Sequence, residues 1–359
     1  MKPSSAPLSA IRVGLILTIS LCLSWADEEW MEVKNLKGQA LTIKIESVEG
    51  DRVKFSTKNR KSYTYDITKF SVTDRLTLRK WKPTEKNPVE EDSKLNPAKS
   101  EEGHTAFRSK HFEFDIIGDT TADQLAGFVP IFEAVHWAFS KLPVDLKPKP
   151  AESHFKVKLY TSYKDFEIAS KESLTEEQPA IYNLDKDIFL APIDRLKPSP
   201  LLTREIAYAL LGERLATMPP WLAVAVTEYL AAAPYKDLAL NQKDPLANTI
   251  AYLNKSYGLS AKTIPMVSPF TVMGLNYKTL RDSGLEGSKG RSSALLTFYY
   301  FAHLDRKGKG MDAYMLAIRT KTAPDEAAAA LLNDRNQAKL EDEFKVAFVP
   351  KKLRIAFIQ

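Results

Sequence analysis

Alternating apolar and polar residues predict a small β-sheet unit in the first quarter of the chain. The apolar positions of three successive runs are Leu41, Ile43 and Ile45, then Val53 and Phe55, then Tyr63, Tyr65 and Ile67. Polar turns at residues 49–51 and 58–61 separate the runs. A period of two residues is typical of strands with one buried face. We therefore expect a small β-barrel over residues 27–81.

The pattern beyond residue 105 changes from strands to helices. Strands are expected near Phe112 and Phe114, at 155–159 and at 188–190, where apolar residues alternate or cluster. Spacings of three and four residues then predict helices at 122–142, 201–215, 220–233, 292–304, 311–320 and 325–332. This order describes an α+β domain over residues 105–359, with a sheet packed under helices.

Residues 82–104 separate these two regions. The segment is rich in Lys, Glu, Pro and Ser, and it lacks the aromatic and β-branched residues that would start a core. Such a composition is typical of a flexible charged linker.

The first 26 residues have the features of a secretory signal peptide. Lys2 and Arg12 precede an apolar run at 13–23, and Ser24 and Ala26 are the small residues that a signal peptidase recognises. The run is short for a membrane span. We expect cleavage near Ala26, export to the periplasm or the extracellular space of a bacterium, and no stable membrane insertion afterwards.

Cysteine content and charge narrow the classes of function. Cys22 is the only cysteine, and cleavage removes it, so disulfides, cysteine nucleophiles and thiolate metal sites are excluded from the mature chain. Loss of the two cations Lys2 and Arg12 lowers the formal charge from +6 to +4. No dense basic segment interleaved with aromatics is present, so we expect no nucleic-acid partner.

The N-terminal region resembles the first homology domain of the yeast endocytic adaptor Sla, a barrel similar to Src-homology-3 domains. The resemblance is carried by Trp30, Gly38, 50–51, 65–67 and the closing FSVTD at 70–74. Arg60 and Lys61 stand where the family usually has a Gly. The resemblance implies binding of a protein or peptide, while a barrel that only packs on its neighbour is the alternative.

The segment 202–230, LTREIAYALLGERLATMPPWLAVAVTEYL, resembles the core of a gluzincin-type (peptidase MA-like) metallopeptidase. In that family a helix with H-E-x-x-H supplies two zinc ligands and a general base, and a second helix supplies a carboxylate ligand. The resemblance implies a zincin-like domain. It extends in a generic way over residues 107–359.

This chain departs from the family at every zinc-ligand position. Arg204 replaces the first His, Tyr208 the second, and Val224 the ligand carboxylate. The residues that match the family are Glu205, Trp221, Glu228 and Tyr229. Arginine and valine have no lone pair to offer a metal, so we expect the protein to bind no metal and no cofactor. A vestigial Glu205 is then expected to pair with Arg204 or Tyr208.

The favoured function is a secreted, non-catalytic protein that binds a peptide or protein partner. The alternatives are an active exported hydrolase that uses Glu205 and Glu228, and a structural protein of the cell envelope. His136 is expected to be a packed or surface residue rather than a ligand, and His303 a surface residue. The glycine-rich segment 284–291 is expected to be a mobile loop beside the cleft.

Overall fold

The computed structural model describes residues 30–59, 61–80, 87–100, 104–148, 154–175, 178–258, 263–276, 287–305, 310–320, 322 and 324–358. The predicted signal peptide lies outside these residues. The chain divides into two compact units between Glu85 and Lys86. Among the described residues, no helix has both the length and the apolar character needed to cross a bilayer.

The smaller unit is an antiparallel meander followed by a helix. Its elements are β1 (Met31–Lys34), β2 (Ala40–Glu49), β3 (Arg52–Thr57), β4 (Ser62–Asp66) and α1 (Val72–Lys80). The strands pair in the order β1-β2-β3-β4. Ile43, Val53 and Phe55 are fully buried, as the alternation requires. The described strands form an open sheet, with no ladder joining β4 to β1, so they do not show the closed barrel that we expected.

The larger unit is built on a mixed six-stranded sheet. Its strands are β5 (Asn96–Lys99), β6 (Thr105–Arg108), β7 (Phe112–Ile117), β8 (Phe155–Tyr160), β9 (Ile181–Asn183) and β10 (Ile188–Pro192). The order is β5-β6-β7-β8-β10-β9. β7, β8 and β10 run parallel, and β9 is antiparallel to β10 at one edge.

Helices follow and surround this sheet. They are α2 (Pro88–Asp92), α3 (Ala122–Ala126), α4 (Val129–Phe139), α5 (Tyr163–Ser170), α6 (Pro200–Leu211), α7 (Pro220–Ala232), α8 (Pro245–Tyr257), α9 (Pro269–Met273), α10 (Ser288–Tyr299), α11 (Gly310–Arg319), α12 (Pro324–Leu332) and α13 (Gln337–Phe348). Helices and sheet share one apolar core. The predicted α+β class is confirmed.

Part of the segment predicted as a flexible linker belongs to the larger unit. The Asn87 side chain caps α2 by accepting a hydrogen bond from the Val89 amide at 3.1 Å. Val89 is buried, and β5 pairs with β6 along the sheet edge. The composition does not reveal these elements, because the segment is held by a single buried valine and by the backbone hydrogen bonds of β5 rather than by a run of apolar residues.

The single helix predicted over 122–142 is two helices. α3 ends at Gly127, and α4 begins after Phe128 with Pro130 in its first turn. Proline has no N–H and its ring collides with the carbonyl four residues earlier, so a continuous helix through Pro130 would be broken.

Five further elements of the larger unit, one helix and four short strands, were also not predicted. α8 has the signals of a helix, with Asp244 as N-cap, Pro245 in the first turn and Gly258 in the left-handed region after its end. β13 (Thr263–Val267) and β14 (Arg354–Ile358) form a parallel pair between distant segments, and β11 (Tyr235–Lys236) and β12 (Ala239–Leu240) form a short hairpin.

The contact between α4 and the sheet gives a stability prediction. Phe132 is buried, with its ring centroid 5.4 Å from those of Phe112 and Phe114 and 5.5 Å from that of Phe189. Phe132→Ala should lower the free energy of unfolding by about 3–5 kcal/mol, because it leaves a cavity at this junction. Urea unfolding measures the loss. Ile168→Ala, at a residue 68% exposed, is the control and should change stability by less than about 0.5 kcal/mol.

Candidate functional site

The helix pair α6 and α7 holds the residues on which the sequence analysis concentrated. Ser199 caps α6 by accepting a hydrogen bond from the Leu202 amide at 3.2 Å, and α6 ends at Gly212, which has a positive φ. Pro220 begins α7. The two helices pack against each other in the core. The positions at which α6 and α7 begin and end therefore determine which of their side chains face each other.

Arg204 connects the two helices through their carboxylates. Its Nη2 lies 3.0 Å from Glu205 Oε1, and its Nη1 lies 3.8 Å from Glu228 Oε1. The side chains of Arg204 and Glu205 are each 16% exposed, whereas that of Glu228 is 0% exposed. The predicted pairing of Glu205 with Arg204 is confirmed. We call Arg204, Glu205, Glu228, Tyr252 and Arg291 the charged cluster.

The remaining two members of the charged cluster come from α8 and α10. Arg291 Nη1 lies 3.0 Å from Glu228 Oε1, and the Tyr252 hydroxyl donates to Glu228 Oε2 at 2.6 Å. Each oxygen of this buried carboxylate therefore has a donor. Two guanidinium groups face two carboxylates, so the cluster is electrically neutral.

The charges of the cluster act on the pKa of Arg204. Burial alone would lower that pKa, because it disfavours the charged form. The negative charges of Glu205 and Glu228 and the hydrogen bond to Glu205 outweigh burial, and the pKa of the Arg204 guanidinium is raised. Arg204 is therefore a permanent cation at the centre of the site.

The other predicted site residues lie around the cluster. Tyr208, four residues after Arg204 on α6, is partly buried and its ring is 6.5 Å edge-on from that of Tyr182 in β9. Val224 is partly buried against the core. β9 pairs with β10 on one side and is the last strand in the sheet order. Tyr208 therefore faces the edge strand of the sheet.

Trp221 and Tyr229 make structural contacts away from Arg204. Trp221 is buried, donates its Nε1–H to the Tyr314 hydroxyl at 3.0 Å and stacks on that ring. The Tyr229 hydroxyl lies 3.1 Å from Nε2 of the exposed His303. Burial raises the pKa of Tyr229, so its phenol stays neutral at neutral pH.

Two members of the charged cluster were missed from the sequence. Arg291 was assigned to a mobile loop over 284–291, but residues 288–291 form the first turn of α10; residues 284–286 lie outside the described part of the chain. Tyr252 lies on α8, which was not predicted. Both helices carry several other polar residues, so no pattern within either helix singles out Arg291 or Tyr252.

Comparisons with known proteins do not assign the chain to a family. No known protein-family model matches it, and no curated protein shows significant similarity to it.

The burial of Glu228 gives a testable difference between the two carboxylates. Glu228→Gln removes the negative charge that is paired with Arg291 and one of the two negative charges that are paired with Arg204. The free energy of unfolding should therefore fall by about 3–5 kcal/mol. Glu205→Gln affects one partly exposed ion pair and should cost less than about 2 kcal/mol. Denaturant unfolding of both variants measures the difference. Equal losses in the two variants would contradict the assigned role of Glu228.

Proposed function

We propose that this protein is an exported, non-catalytic binding protein whose larger domain is a degenerate gluzincin-type metallopeptidase. The charged cluster carries the proposal. It occupies the space between the two helices in which the resemblance places a zinc ion and its general base. Arg204 there is held by Glu205 and Glu228, the acidic residues that the family pattern retains.

The residues at the ligand positions do not fit zinc. Arg204 and Val224 have no lone pair to donate, and a neutral Tyr208 is a poor replacement for an imidazole. Zinc lowers the pKa of a bound water from about 16 to about 7, and a carboxylate alone cannot generate hydroxide in this way. The alternative of a hydrolase acting through Glu205 and Glu228 has the further difficulty that both carboxylates are ion-paired.

The edge of the large sheet supports peptide binding. Among the described residues β9 is the last strand in the sheet order, and we propose that its outer edge accepts backbone hydrogen bonds from an added strand. The partly buried rings of Tyr182, on β9, and Tyr208, on α6, lie close together. In this proposal an extended peptide runs along β9 and its side chains contact Tyr208. Such a site needs no catalytic group.

The smaller unit supports a second recognition role. Tyr63 and Tyr65 are 36% and 44% exposed on β4, and both rings lie within 6 Å of the buried Phe55 ring. Exposed aromatics held by a core residue offer contact area with little loss of side-chain freedom. We propose that this unit is a Sla-type, Src-homology-3-like adaptor module. A structural protein of the envelope would not require such a surface.

Peptide binding can be tested by selecting a random peptide library displayed on phage against the full mature chain. A selected peptide should bind Tyr208→Ala about two- to twelvefold more weakly than wild type, because an aromatic contact is worth about 0.5–1.5 kcal/mol. Tyr208→Phe keeps the ring and should retain binding. Fluorescence anisotropy measures the affinities. Failure to select any peptide, or equal affinities for Tyr208→Ala and wild type, would contradict the cleft proposal; loss only with Tyr65→Ala would move binding to the smaller unit.

Rebuilding the metal site tests the family placement. The triple variant Arg204→His, Tyr208→His and Val224→Glu restores all three ligand positions and frees Glu205 from its guanidinium partner. It should bind one equivalent of zinc more than wild type and gain peptidase activity, measured by mass spectrometry of metal content and with a quenched fluorescent peptide mixture. The double variant that keeps Val224 is the control, with weaker binding. A folded triple variant without additional zinc would refute the placement.

A further inference from the structure

A second group of polar residues lies where the β6–β7 hairpin meets α4. It consists of His111, Glu133 and His136, and we call it the histidine cluster. One ligand atom from each side chain can be chosen so that all three lie within 4.8 Å of one another. His111 ends a tight turn that is closed by a hydrogen bond from the Ser109 amide to the Phe112 carbonyl at 3.0 Å. The cluster is remote in sequence from α6 and α7, and the proposed function does not use it.

Glu133 is the fixed member of the histidine cluster. Its side chain is 1% exposed. Its Oε1 accepts hydrogen bonds from the Ser109 hydroxyl at 2.7 Å and from the His111 amide at 3.0 Å, while His111 Nδ1 lies 2.6 Å from Oε2. A metal ligand needs such second partners to hold its orientation, and the hairpin provides them for Oε1.

The two imidazoles are neighbours on one side of this carboxylate. His136 follows Glu133 by three residues and therefore shares its face of α4. Its ring stacks on that of His111 with a centroid distance of 3.7 Å and an angle of 19°. Both histidines are partly exposed, so an ion has access from solvent.

Charged neighbours also favour a cation. Asp92, at the end of α2, and Lys110, in the turn, form an ion pair at 2.9 Å, and both act electrostatically on His136. Their charges cancel and leave the negative charge of Glu133. The histidine cluster therefore holds a buried carboxylate and no permanent cation of its own. The charged cluster around Glu228 differs, because its positive and negative charges balance and the permanent cation Arg204 lies at its centre.

We propose that the histidine cluster binds a divalent transition-metal ion of the zinc class, with one nitrogen from each of His111 and His136, Glu133 Oε2 and water as ligands. Two histidines and one carboxylate are a known zinc ligand set. The ion takes the place of the proton between His111 Nδ1 and Glu133 Oε2, and exchange with solvent moves that proton to Nε2 of the same ring, so that Nδ1 presents its lone pair to the ion. Tetrahedral bonds of about 2.0–2.1 Å require ligand atoms about 3.3 Å apart.

Binding requires a small local rearrangement. The lone pairs of two stacked rings run side by side, so His136 must turn about its Cβ–Cγ bond to aim at the same ion as His111. The His111–Glu133 distance must widen from 2.6 Å. Both movements involve side chains only, and the ring that turns belongs to His136 on α4.

The test uses the full mature chain, stripped with a chelator and titrated with zinc chloride alone. Calorimetry and metal analysis should give one equivalent of zinc for wild type. His136→Ala leaves the Glu133–His111 contact in place and should weaken zinc binding by about 100-fold or more, since it removes a direct ligand. His154→Ala, a histidine outside the cluster, should bind as wild type does. Circular dichroism verifies that each variant is folded.

Three outcomes would overturn the metal proposal. They are a wild-type chain that takes up no zinc, a folded His136→Ala variant with wild-type affinity, and zinc that is lost in Glu205→Gln but kept in His136→Ala. X-ray absorption of the zinc-loaded protein should show only nitrogen and oxygen ligands, at about 2.0–2.2 Å. The proposed binding function is tested by different measurements. In the rebuilt triple variant, for example, only zinc bound beyond the wild-type amount is counted.

Discussion

Glu228 is a fully buried carboxylate, and the positions of four helices are tied to its neutralisation. An isolated carboxylate in the interior costs several kcal/mol, and this cost falls only when charge partners and donors are correctly placed. Arg204 from α6, Tyr252 from α8 and Arg291 from α10 meet it on α7. A shift of any of these helices would remove at least one partner from this buried charge. The apolar core favours compact packing, and this network selects one arrangement within it.

The same network determines what the helix pair can do chemically. A cleft that is to bind a metal must present lone pairs, and a cleft that is to activate water must leave a carboxylate free to accept a proton. Arg204 prevents both, because its guanidinium pairs with the carboxylates of Glu205 and Glu228 and offers only hydrogen-bond donors. Recognition of a peptide beside Tyr208 and β9, rather than hydrolysis, is the function that we propose for this helix pair.

Sequence reasoning predicted elements whose signal is local. Three of the four strands of the smaller unit, β2 to β4, followed from the alternation of apolar residues such as Ile43, Val53 and Phe55 with polar ones. β1 was not predicted, whereas α6 and α7 followed from their apolar spacing. β5 was missed because Asn96–Lys99 has no apolar alternation and depends on pairing with β6. The partnership of Arg291 with Glu228 joins residues 63 positions apart. No periodicity within one helix can reveal a contact whose geometry depends on the packing of several helices.

The two buried carboxylates of the larger unit show why residue type and surroundings must be considered together. Glu228 is matched by permanent cations, which stabilise its charge and exclude a metal ion. Glu133 is matched by a hydroxyl, an amide and an imidazole, and these partners can hold its orientation while a proton is exchanged for a metal ion. His136, taken alone in the sequence, gave no reason to expect a ligand. His136 becomes a candidate metal ligand because the β6–β7 hairpin places the His111 ring against it.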